Sequence, residues 1–180
     1  MAKKTKKEPE PSSSWIVKVS ILTFILSLIF SYISAAAVSK LNIPLAIITL
    51  LVVVLLGITF DLIGVSVSIA NPEDFHAMAS KRIPGSKEAI KLIKNSAQVS
   101  NFCADVIGDI CGVLSGSLAG MISLKLAAIY GMEEYIQILV AALVAALTVG
   151  GKAFTKDLAK KDPTSIVFFI SKIISTFKSK

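Results

Sequence analysis

The chain reads as an all-α integral membrane protein of about four transmembrane helices, with a cytoplasmic juxtamembrane helical hairpin after the second span and a C-terminal interfacial helix. Three observations lead there. Of its 180 residues, 54% are hydrophobic, more apolar surface than a soluble domain of that length can bury. The apolar residues are gathered into runs long enough to cross about 30 Å of hydrocarbon, and the lysines are gathered between those runs.

Residues 1–14 carry Lys3, Lys4, Lys6 and Lys7, prolines and Ser12-Ser13-Ser14, and read as a disordered basic cytoplasmic tail. The first span is expected at 15–38, with Trp15 as an interface anchor. Its apolar run exceeds the core of an ordinary signal peptide, and no small-residue cleavage site precedes a soluble domain. Further spans are expected at 44–70, 99–126 and 135–151. The segment between spans two and three is basic through Lys81, Arg82, Lys87, Lys91 and Lys94; the tail after the fourth carries Lys152, Lys156, Lys160 and Lys161. The other two connections are short. The positive-inside rule then places both termini in the cytoplasm of a multi-pass protein of the cell membrane. The net charge of +7 fits anionic lipid of the inner leaflet better than nucleic acid, because the basic residues flank the spans.

Juxtamembrane helices are expected over 72–95. Asn71-Pro72-Glu73-Asp74 supplies a cap, a proline at the first helical position and acids in the first turn, predicting a helix to about Ser80. Pro84-Gly85 breaks the chain. A second helix from Ser86 sets Ile90, Ile93 and Ala97 opposite Lys87, Lys91 and Lys94, the pattern of a helix lying on a membrane surface. Asp162-Pro163 starts another helix over 163–178, carrying Ile166, Phe169, Ile170, Ile173, Ile174 and Phe177. It is too short for a span and reads as interfacial, with Lys172, Lys178 and Lys180 facing lipid phosphates.

The third span is unusual. Asp105 and Asp109 lie one turn apart on it, and Gly112, Gly116 and Gly120 continue the face. Acids at bilayer depth seldom face lipid and by default mark a functional site, while glycines at this spacing permit close helix packing, within one subunit or between two. A polar face buried against other helices around an ion is the expectation. Cys103 and Cys111 are about 12 Å apart along the same helix axis, too far for a disulfide. His76, the one histidine, reads as packed or solvated, and Ser117 and Ser123 can bond their own helix. No phosphate loop, zinc spacing or triad is present, so no enzymatic activity is expected and no organic cofactor.

Three stretches together resemble a known family. They are Gly85-Ser86-Lys87-Glu88-Ala89-Ile90-Lys91-Leu92-Ile93-Lys94, Ile107-Gly108-Asp109, and Gly151-Lys152-Ala153-Phe154-Thr155-Lys156-Asp157-Leu158-Ala159. In this order, over residues 44–180, they resemble the transmembrane domain of the CNNM/CorC magnesium transporters, with the first span as an addition. The resemblance implies a homodimer that binds or transports a divalent cation such as Mg²⁺. The implied metal set is Asp61, Ser66, Asp109 and Ser115, with Asp105 and Lys152 as a polar cluster nearby. Asp109 stands where the family has asparagine, Lys152 where it has glutamate, and Gly64 where it has glutamate. Two carboxylates with hydroxyls suit magnesium in a wet cavity. Lys152 either neutralises an aspartate, leaving a structural ion pair, or extends to the interface. The family's CBS modules do not follow the tail, so the expectation is either a separate cytoplasmic regulatory partner or loss of that regulation. The alternative is a non-transporting membrane scaffold or regulator whose polar cluster is structural.

The topology is directly testable. A cysteine replacing Glu133, in the acidic connection before the fourth span, is expected to react with an impermeant thiol reagent from outside the cell; reaction from the inside alone would overturn the map.

Overall fold

The structure, a computed structural model, describes residues 13–178 and places them in helices joined by short turns. Most of the tail expected at 1–14, and the Trp15 side chain, lie outside the described residues. The elements are α1 (Ser13–Lys40), α2 (Ile43–Ile69), α3 (Pro72–Ser80), α4 (Ser86–Lys94), α5 (Ser96–Ser100), a π-helical segment (Asn101–Ile107), α6 (Gly108–Tyr130), α7 (Glu133–Lys161) and α8 (Pro163–Lys178). Among the described residues, three helices are long and apolar enough to cross a membrane: α2, the continuous run Ser96–Tyr130, and α7.

The run and α7 are longer than the spans read from hydropathy at 99–126 and 135–151. Hydropathy falls where polar side chains begin, but backbone hydrogen bonding does not. The residues after Gly151 are mainly alanine, lysine, leucine and threonine, and the helix continues through them with Thr155 and Ala159 buried.

Capping sets the helix starts near the α3/α4/α8 end. The Asn71 Oδ1 accepts the Glu73 N–H at 3.2 Å, with proline next in the chain, so α3 begins at the expected residue. The same arrangement recurs at α8, where the Asp162 Oδ1 accepts the Ser165 N–H at 3.0 Å. These hydrogen bonds favour the carboxylate, so the Asp162 pKa is lowered. Thr164 donates to the Asp74 carboxylate at 2.9 Å, tying the first turns of α8 and α3 together.

α3 ends at Ser80, as expected. The break starts at Lys81-Arg82, ahead of Pro84-Gly85. The Arg82 N–H bonds Ala79 O and the Ile83 N–H bonds Met78 O, closing the helix in a Schellman turn with Arg82 in the left-handed position at φ 56°. Ala97, expected on the apolar face of the second hairpin helix, is exposed and lies beyond a break at Asn95, while Ser86 and Ala89 are the buried residues of α4.

Packing is organised around α2. Near its start Ala46, Leu50 and Val54 meet Leu118, Ala119 and Ile122 of α6, with Val140 and Val144 of α7 against them. Leu26 of α1 and Val53 of α2 pack on Val106, Ile110 and Leu114. At the far end Val67 and Ala70 share a core with Phe75, Ala89 and Val167, so α3, α4 and α8 close over the end of α2. Gly85 makes this closure feasible. Its φ is +93°, and a β-carbon there would lie 3.1 Å from the Lys172 backbone.

Gly85→Ala therefore meets both backbone strain and a backbone obstacle. It is expected to destabilise the α4/α8 contact by about 1–2 kcal/mol, read as faster amide exchange over 163–178. Unchanged exchange there would contradict the crossing.

Candidate cation site

The inner face of α2 is a seam with helical spacing: Ala46, Leu50, Val54, Gly57, Asp61, Gly64 and Val67 are all buried. Two glycines on it mark the closest approach to the third long helix. A β-carbon on Gly57 would lie 2.8 Å from the Cys111 β-carbon, and one on Gly64 would lie 3.0 Å from the Ser100 carbonyl oxygen. Asp61 falls between them, four residues after Gly57 and three before Gly64. The crossing therefore seals it: Asp61 is 5% exposed, and its Oδ2 has no hydrogen-bond partner. Buried polar atoms are nearly always paired, and an orphan of this kind calls for a water, an ion or a functional role.

The helix facing Asp61 is irregular. Gly64 and Gly57 touch Ser100 and Gly108, which bracket the π-helical segment Asn101–Ile107. There the Gly108 N–H reaches back to the Cys103 and Asp105 carbonyls, so the regular i→i+4 ladder is interrupted. Such segments within α-helices recur at functional sites.

The other expected site residues take different places. Ser66 is fully buried and donates to Leu62 O at 2.7 Å; Ser115 is buried and donates to Gly112 O at 2.9 Å. Their protons are used on their own helices, leaving oxygen lone pairs as the groups able to face a cation. Asp109 and Asp105 are both exposed, on a different face of the run from the one that meets α2. Lys152 is half-buried and lines a crevice with Gly57, Gly108, Cys111 and Ser115. Among the described residues, Lys152 forms no ion pair with Asp61, Asp105 or Asp109. Nor do the described residues contain a group of three or more His, Cys, Asp or Glu able to hold a metal. Any cation at Asp61 would take its remaining ligands from hydroxyl and carbonyl oxygens and water.

Gly112, Gly116 and Gly120 have nothing within 4 Å of the position a β-carbon would take. Within the chain they do not form a tight helix contact; they line an open groove of about 760 Å³ between α6 and α7. The glycines that do pack closely, Gly57 and Gly64, were legible as a Gly-x3-Asp-x2-Gly face at i, i+4 and i+7. No sequence signal marked the π-helical segment.

No protein-family model, curated protein or solved structure matches the chain.

The crossing can be probed as a pair. Gly57→Ala is expected to destabilise the fold, and Cys111→Gly, which removes the opposing β-carbon, is expected to recover part of the loss. A double-mutant cycle should give a coupling of about 0.5–3 kcal/mol. Strict additivity would show that the two positions do not meet.

Proposed function

We propose that the chain is a multi-pass membrane protein that binds a divalent cation, magnesium being the first candidate, at the Asp61 carboxylate. The observation carrying this reading is the sealed Asp61 with its unpartnered Oδ2. Insertion of an aspartate at the centre of a span costs roughly 2.5–3.5 kcal/mol, and burying it without a partner adds to that cost. A cation would offset both. The glycines on either side stand close to backbone carbonyl oxygens of the opposite helix, those of Gly108 and Ser100, and carbonyl oxygens suit a hard cation that also keeps some of its water.

In this reading α1 is the fourth span and the α3/α4/α8 end faces the cytoplasm. Exposed Phe169, Ile173 and Phe177 on α8 dip into the inner leaflet, with lysines toward anionic headgroups. The CNNM/CorC resemblance adds the expectations of a homodimer, transport of the bound cation and a separate regulatory partner.

One observation favours a second reading. Lys152 lies in the crevice beside Gly57 and Gly108, about one helical turn from Asp61 along α2. Its charge could balance the aspartate across a water, which would make the polar groups structural and the protein a scaffold or regulator.

The two readings separate on cation dependence. Under the first, Mg²⁺ raises the melting temperature of the purified protein, by the equivalent of about 2.7 kcal/mol at a hundredfold excess over Kd, and Asp61→Asn removes the response. Under the second, Asp61→Asn and Lys152→Met change stability equally with and without the ion. Indifference to every divalent cation would end the first reading.

A further inference from the structure

Among the described residues nothing fills the groove between α6 and α7, and the acids beside it define what can cover it. Val113, Gly116 and Gly120 stand on the outward face of α6, with Gln137 of α7 across the groove. Asp109 lies on that face three residues before Gly112 and seven before Gly116, so helical periodicity puts it directly below the glycines. Asp105 is exposed one turn earlier, in the π-helical segment. Along the run Ser96–Tyr130, Asp109 is roughly 20 Å from Ser96. If the run spans a bilayer, both carboxylates therefore open outward within its hydrocarbon layer, where lipid can neither solvate nor neutralise them.

A second copy of this chain does not satisfy them. A two-fold axis normal to the membrane sets equal residues at equal depth, so symmetric docking on this face would bring two pairs of aspartates together at low dielectric. Lys152 does not satisfy them either, being engaged in the crevice beside Gly108 without an ion pair. The glycines, by contrast, leave room for another helix to approach the α6 backbone closely.

We propose that this face docks a transmembrane helix of a different protein carrying a lysine or arginine at mid-span. The cation meets Asp105 and Asp109, and the helix beyond it lies along Gly116 and Gly120. This rests on the membrane reading above but not on cation binding at Asp61, which faces the opposite side of the run.

The test uses the full chain in phosphatidylcholine nanodiscs, with a fluorescent Leu/Ala transmembrane peptide bearing one central arginine. Sister peptides carry alanine or glutamate at the same place. Energy transfer is expected to show at least about tenfold tighter association of the arginine peptide. Asp105→Asn with Asp109→Asn should abolish that preference, and Gly116→Leu, placed where the structure has open space, should block docking of the arginine peptide. Equal association of all three peptides would overturn the proposal, since apolar or lipid-like filling would then suffice. So would self-association of the chain that Gly116→Leu abolishes while peptide binding persists. A chain released from vesicles by an alkaline wash would defeat the membrane reading itself; an inserted chain indifferent to the arginine peptide defeats this inference alone.

Discussion

The close crossing of α2 on the Ser96–Tyr130 run is the constraint from which the other features follow. Two missing side chains, at Gly57 and Gly64, allow the backbones to approach until Cys111 and the Ser100 carbonyl occupy the space a β-carbon would need. Once the helices are that near, whatever lies between the glycines is cut off from solvent. The residue there is an aspartate, and its burial is a geometric consequence of the glycines on either side. The same crossing aligns Ala46, Leu50 and Val54 with Leu118, Ala119 and Ile122, so one seam provides both the apolar contact and the polar site.

The energetics of that seam differ along its length. Toward the α6 C-terminus it is aliphatic, and dispersion between closely fitted side chains is the main contribution available if the surroundings are lipid, where apolar burial alone gives little preference. Around Asp61 the contact carries a cost, since a carboxylate oxygen is sealed without a partner. Beyond Gly64, Ser66 meets its own hydrogen-bonding need on Leu62, and Phe75, Ala89 and Val167 form a small core of the kind found in soluble proteins. The costly polar stretch is thus clamped between two well-packed ones. That is the arrangement expected where a costly group is retained for something other than stability.

Much of the fold was legible because helix signals are local. Asn71-Pro72 and Asp162-Pro163 announce their helices through caps whose hydrogen bonds the structure contains. Apolar run length identified three of the four expected spans as helices long and apolar enough to cross a membrane, though not the extension of α7 beyond Gly151, where polar residues with good helix propensity carry on. The site was only partly legible. Asp61 was picked out, but hydropathy and charge could not tell which face of the Ser96–Tyr130 run would turn toward α2. That choice depends on which surfaces fit, and the smallest surface on α2 decided it. The π-helical segment also escaped, because its stability depends on tertiary contacts rather than on any residue type within it.

The aspartates of α2 and of the Ser96–Tyr130 run end up in opposite situations despite similar sequence surroundings. Asp61 is enclosed by its own chain, so its neutralisation has to come from something small enough to fit between crossing helices: an ion, a proton or a water. Asp105 and Asp109 are left open on a face that the described residues do not cover, and the glycines above them add room instead of contact. A small ion bound there would keep its exposure to lipid on one side, which helps little. A group able to neutralise these carboxylates and also cover the face has to be as long as the face itself, which favours a helix over an ion. The physical distinction between the two kinds of acid is therefore one of enclosure, and enclosure is set by glycine placement on α2 and α6.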